Sequence, residues 1–459
     1  MPHSGSSRSG SSSDTGGDRA HLGHPNDGID PYLPNNGNLG YRVSRYDLDL
    51  QYKVASNRLA GTATITATTL NGIGRFSLDF STSFKIEKIT VNGKRPSRYS
   101  HHDNKLSITP SHSIAPGAAM EVQVRYSGSP KPIRGPWGEV GWEELTDGAI
   151  CASQPNGAAS WFPCDDHPSS KAPYHISIST ESQYYAASNG VLVNKRAKAG
   201  YTTWEYEQTE PMSTYLATMQ IGPYERKTLS EGDVPIYAVL PARLKKNFES
   251  SFGRQVQIMD TFREMFGPYP FPQYTVVVTD DDLEIPVEAE SLSVFGANHC
   301  TGTRRSERLV AHELAHQWFG NSVTLRQWRD IWLHEGFACY AEWLWSQAAG
   351  DDSTEALAKK YYDKLASSPQ DIQVTDPGPD DMFDDRIYKR GALTLHALRN
   401  RIGDDKFFEL MKKWTSDHRY ENVSTDDFTA LAGRYANGSL NDIWQSWLVD
   451  TRLPAFPYS

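Results

Sequence analysis

A change of hydrophobic period near Ile221 limits the folds open to this chain more than any other feature. From Tyr41 to about Tyr224, apolar and polar residues alternate. In "YDLDLQYKV", Tyr46, Leu48, Leu50, Tyr52 and Val54 share one face, and Asp47, Asp49, Gln51 and Lys53 share the other. That two-residue repeat is the signature of a half-buried strand. "RFSLDF" and "EVQVRY" repeat it, and Asn92-Gly93 is a hairpin-turn signal. Beyond Ile221 the period lengthens. Leu244, Phe248, Phe252, Val256, Met259, Phe262 and Phe266 recur every three or four residues, which predicts an amphipathic helix. "QYTVVVTD" reads as one buried strand, "SERLVAHELAHQWFG" as a helix ending at Gly320, and "EGFACYAEWLWSQAAG" as a helix ending at Gly350. Asp352, three residues before Glu355, looks like the start of a capping box.

The expected fold is therefore α+β. A β-rich, antiparallel domain over residues 29–228 precedes a mainly helical domain over residues 229–459, with the boundary near Arg226 to Gly232. Residues 1–28, rich in Ser, Gly and charge, read as a disordered tail without the apolar core of a secretory signal. The formal charge of −10 is spread along the chain rather than blocked, which argues against nucleic acid or an anionic membrane as partner. No apolar run reaches the roughly 18 residues that a membrane span needs. Cys151, Cys164, Cys300 and Cys339 are too few for a disulfide scaffold and are expected as reduced thiols in a cytoplasmic protein.

The chemistry concentrates in "VAHELAHQWFG", Val310 to Gly320. On a helix, His312 and His316 lie one turn apart on one face and can reach a single ion. Glu313, rotated by about 100°, leans toward the open side of that ion, where it could accept a proton from water. A catalytic zinc needs a third protein ligand, and Glu335 in "WLHEGFACYAEW" supplies one, with His334 as the rival donor. Two imidazoles and a carboxylate suit one hydrolytic Zn2+, with Glu313 as the base.

"HELAHQWFGNSVT" followed by "WRDIWLHEGFACYAE" resembles the aminopeptidase N-type gluzincin family, which also contains leukotriene-A hydrolase. "QPNGAASWFPCDDHPSSKAPY" and "IYKRGALTLHALR" are similar to further segments of that family, so the resemblance runs over most of Leu39 to Trp447. It implies a saddle-shaped N-terminal sheet domain and a thermolysin-like catalytic domain. It also implies that Tyr388 is the catalytic tyrosine, donating to the oxyanion of the tetrahedral intermediate, and that Gln154 lies near the substrate N-terminus. Asn321, Asp330 and Glu342 would orient the ligands.

The family's Gly-x-Met-Glu-Asn anchor for the substrate amine is matched most nearly by "VEAES", in which Val287, Ala289 and Ser291 replace Gly, Met and Asn. That alignment makes Glu290 the amine-binding residue, with Glu288 or Glu284 able to share the role. Relatives continue into a large helical domain where this sequence ends at Ser459, which leads us to expect a more open cleft. The expected activity is zinc-dependent release of N-terminal amino acids from peptides with a free N-terminus. An endopeptidase, or a dual enzyme processing a precursor or leader, is the alternative. A non-catalytic peptide-binding protein is the remote one.

Overall fold

The computed structural model describes residues 29–456, so the expected tail at residues 1–28 lies outside the described residues. Its first half is built on a seven-stranded sheet. In spatial order the strands are Val191–Lys198, Tyr201–Ser213, Lys171–Glu181, Tyr41–Lys53, Arg58–Thr69, Ala119–Gly128 and Phe84–Val91. Tyr46, Leu48, Leu50 and Tyr52 are all buried, so the alternation in the sequence does divide the strand into an inner and an outer face. One pairing departs from antiparallel: Tyr41–Lys53 runs parallel to Lys171–Glu181, which returns to the sheet only after a second sheet has formed between them. Asn92 and Gly93 both adopt positive φ in a tight turn closed by a single Val91–Lys94 bridge, and the rest of Phe84–Val91 pairs with Ala119–Gly128.

The second half carries a five-stranded sheet in the order Tyr224–Ser230, Ile236–Pro241, Tyr274–Val278, Leu292–Phe295 and Val287–Ala289. Its helices are α1 (Lys245–Phe252), α2 (Gln255–Phe266), α3 (Glu307–Ala315), α4 (Trp332–Ala348), α5 (Thr354–Ala366) and α6 (Asp385–Ile402), followed by Asp404–Asp417 and shorter ones. The single helix expected from Leu244 to Phe266 is in fact two, broken at Gly253 and Arg254, where Gly253 keeps helical backbone angles and Arg254 leaves them. Glycine is the weakest helix former after proline, and the periodicity of the apolar residues continues across the break without revealing it. The cap of α5 is also displaced from the expected Asp352: Ser353 Oγ accepts from the Ala356 N–H. Among the described residues, no helix is long and apolar enough to cross a membrane. All four cysteines are buried thiols.

Two contacts in this core position the site. Lys171, from the first half, buries its ammonium against the turn after α3, donating to the carbonyls of Asn321 and Ser322 (3.0 and 2.9 Å) and to Thr324 Oγ1 (2.9 Å). Gly336 on α4 and Gly391 on α6 face each other so closely that a Cβ on Gly336 would lie 2.9 Å from Gly391 Cα. The close crossing brings the helix of Glu335 against the helix of Tyr388. Gly336→Val is therefore expected to cost about 1–3 kcal/mol through overpacking, which outweighs any gain in helix propensity. Thermal unfolding checks this: a midpoint equal to the parent's would show that the crossing has room to spare.

Candidate active site

Helix α3 presents His312 from its last turn, and His316 caps its C-terminus. Glu335 enters from the first turn of α4. The Nε2 atoms of His312 and His316 lie 3.3 and 3.4 Å from the same oxygen, Glu335 Oε2, so three donors converge on one point. The outer nitrogens are engaged elsewhere. His312 Nδ1 is 2.8 Å from Glu342 Oε1, and His316 Nδ1 is 3.0 Å from the Phe319 carbonyl, which leaves both Nε2 atoms facing inward. Burial alone would favour neutral imidazoles. Glu335 and Glu342 nevertheless lift His312 to about 9, and Glu335 and Glu288 lift His316 to about 10. Against its own burial, Glu335 is held well below the usual carboxylate range, chiefly by His316. The pocket thus stabilises positive charge at the centre of two imidazoles and a carboxylate. One Zn2+ replacing those protons fits this donor set.

Glu313 sits beside this set without belonging to it. Its Oε2 is buried and has no hydrogen-bond partner, and burial, reinforced by Glu288, pushes its carboxyl up to about 8. Glu288, Glu313 and His316 form a second tight group of potential ligand atoms. Gln154 Nε2 donates to Glu288 Oε1 at 2.6 Å.

Glu290, by contrast, is not at the site. Its side chain is fully buried in the hairpin turn, where Oε1 accepts from Gln208 Nε2 (2.8 Å), and its backbone carbonyl accepts from Asn189 (2.8 Å). The alignment that selected Glu290 is thus corrected by two positions. Glu288 belongs to the edge strand Val287–Ala289 and reaches the cleft, whereas Glu290 lies in the turn where the chain reverses into Leu292–Phe295 and is directed at the first half. Glu284 is exposed on the preceding loop. Tyr388, in the first turns of α6, stacks alongside His312 with ring centroids 6.2 Å apart, and burial holds its hydroxyl proton firmly on.

Comparison with known proteins gives this arrangement a family. Residues 43–216 match the peptidase M1 N-terminal domain, and residues 250–447 match the peptidase family M1 domain. The chain belongs to peptidase family M1. It is 28% identical to Aminopeptidase M1 of Arabidopsis thaliana over 67% of this chain and 37% of that protein. It is 30% identical to glutamyl aminopeptidase of Bos taurus over 66% of this chain and 34% of that protein. With leucyl aminopeptidase of Saccharolobus solfataricus it shares 25% identity over 81% of this chain and 49% of that protein. The chain thus spans about a third to a half of the length of these relatives. An M1 zinc metallopeptidase from Deinococcus radiodurans superposes with a TM-score of 0.85 at 29% identity, covering 94% of this chain and 99% of that one. A mutant of an M1 zinc metallopeptidase from the same organism, bound to a Tyr-Ser-Ala substrate, gives 0.86 at 28% identity with the same coverage.

Within this M1 chain, the residues expected to orient the ligands divide by position. Glu342 holds His312 directly. Asn321 Nδ2 donates instead to the Ala289 carbonyl (3.0 Å), and Asp330 Oδ1 accepts from the Thr425 backbone and hydroxyl (3.2 and 2.6 Å), away from the ligands. His334, the rival donor, accepts from the Leu325 N–H through Nε2 at 2.7 Å, and burial lowers it to about 3, which makes it a brace for the turn. Gln317 was not singled out by sequence. Its amide donates to the Ala289 carbonyl (3.0 Å) and accepts from the Ser291 N–H (2.9 Å), tying the strand of Glu288 to the metal helix. Its place directly after His316 was the only available signal.

Proposed function

We propose that this M1 chain is a zinc aminopeptidase that removes N-terminal residues from peptides with a free α-amine. His312, His316 and Glu335 would hold the ion, which supplies Lewis acidity and a lowered pKa for water. Glu313, whose Oε2 has no hydrogen-bond partner, takes the proton of the attacking water and delivers it to the leaving amine. Tyr388 donates a hydrogen bond from its hydroxyl to the oxygen that becomes negative.

The observation that carries the exopeptidase reading is the Gln154–Glu288 pair beside Glu313. Gln154 uses its NH2 group on Glu288 Oε1, which leaves Glu288 Oε2 and the Gln154 carbonyl as acceptors for an ammonium group. Charge supports the same assignment. Three carboxylates (Glu288, Glu313 and Glu335), a dication and one ammonium sum to zero in a buried site, where an unbalanced charge would be costly. The Tyr-Ser-Ala substrate named for a structural neighbour is a short peptide, which agrees with this reading. We place the enzyme in the cytoplasm, where its four buried thiols would stay reduced, and fractionation of the native cell checks that assignment.

Free-amine and N-acetylated versions of one peptide library provide the test, with products followed by mass spectrometry. Single-residue release from the free series alone is expected. Equal cleavage of both series, or internal fragments as main products, would replace this reading with an endopeptidase. In the same assay, Glu288→Ala should lower kcat/KM on free-amine peptides by about 10–100-fold, corresponding to about 1.5–3 kcal/mol for a charged hydrogen bond. Glu290→Gln should leave KM unchanged. The reverse pattern would return the anchor to Glu290.

A further inference from the structure

His312 is held from behind by a chain of contacts that reaches the surface. The Glu342 side chain, only 1% exposed, receives His312 Nδ1 on Oε1. Arg308, one helical turn before His312 on α3, places Nη1 3.0 Å from each oxygen of the same carboxylate. The other side of Arg308 is open: its side chain is 50% exposed and lines a cavity of about 380 Å3 together with Arg305, Lys360 and the stacked rings of Trp343 and Tyr361.

We propose that Arg308 is a positioning residue for the metal centre: by gripping both oxygens of Glu342 it fixes the acceptor for the Nδ1 proton of His312 and keeps Nε2 bare and aimed at the ion. A carboxylate held by one imidazole N–H is free to turn about its last bond. A cation astride both oxygens removes that freedom and sets the plane in which His312 is oriented. Arg308 reaches the buried Glu342 from a half-exposed position and is one of several groups that balance its charge. Lys389, buried on α6, continues to balance the Glu342 charge when Arg308 is removed. The consequence of losing Arg308 therefore falls on the ligand geometry rather than on the fold.

This inference rests on the reading that His312, His316 and Glu335 bind zinc, and the test separates the two. The zinc dissociation constant is measured by chelator competition for the parent, Arg308→Ala, Arg308→Lys and His316→Ala, with thermal unfolding of each metal-free protein alongside. Arg308→Ala is expected to weaken zinc about 10-fold, the lower end of what partners of a metal-bound histidine contribute. Arg308→Lys should recover part of that loss, because a point charge holds one oxygen well but cannot set the plane. His316→Ala should lose far more. If Arg308→Ala binds zinc like the parent while His316→Ala does not, the positioning role is overturned and the metal site stands. If His316→Ala also binds like the parent, the site reading fails and the role of Arg308 fails with it. Should Arg308→Ala unfold well below the parent, Arg308→Gln, which keeps part of the side chain's stem and removes the charge, is measured in its place and read by the same criteria.

Discussion

Glu313→Gln is expected to keep the parent's zinc content while turnover of an unblocked peptide falls by about 10²–10⁴-fold, the usual contribution of a positioned general base. The substitution preserves size and removes only the ability to take a proton. Zinc should be unaffected because Glu313 lies outside the set that converges on Glu335 Oε2 and leaves its own Oε2 without a partner. In the metal-free protein, burial and the neighbouring Glu288 push the Glu313 carboxyl up to about 8, a direction that favours its holding a proton once one is taken from water. Elemental analysis and steady-state kinetics on one preparation decide the matter. Undiminished turnover removes Glu313 as the base, and lost zinc moves it among the ligands.

Tyr388→Phe should lower kcat by about 10²–10³-fold with a much smaller change in KM, as expected when one donor to a developing oxyanion is deleted. The ring beside His312 is retained by phenylalanine, so the stacking and the α4–α6 crossing remain. Only the hydroxyl is lost, and burial keeps that hydroxyl protonated across the working pH range. The split between kcat and KM is the diagnostic, since the interaction forms only as charge appears on the substrate. A rise in KM at constant kcat would make Tyr388 a substrate-binding residue and leave the oxyanion to other donors.

Much of the fold was legible because strand and helix periods are local properties of the chain. Tyr46 to Tyr52 bury as their alternation requires, and α4 covers most of the helix read from "EGFACYAEWLWSQAAG", starting three residues earlier and ending at Ala348 rather than Gly350. The break between α1 and α2 was hidden because the apolar residues keep their spacing across Gly253. Asp330 was open to a ligand-orienting or a capping role, and the choice lay with Thr425, its partner almost a hundred residues away in sequence.

The sequence alone determined the chemical set. His312, Glu313 and His316 are fixed relative to one another by one turn of helix, so their spacing is already geometry. It could not determine which glutamate completes the cleft. Glu288 and Glu290 are two residues apart and chemically identical, and what separates them is the hairpin's position against the two halves of the molecule. Gln317 and Asn321 grip the Ala289 carbonyl, Asn189 holds the Glu290 carbonyl and Gln208 takes the Glu290 side chain. Those partners come from segments some thirty to a hundred residues distant, and only the folded chain brings them to the same hairpin.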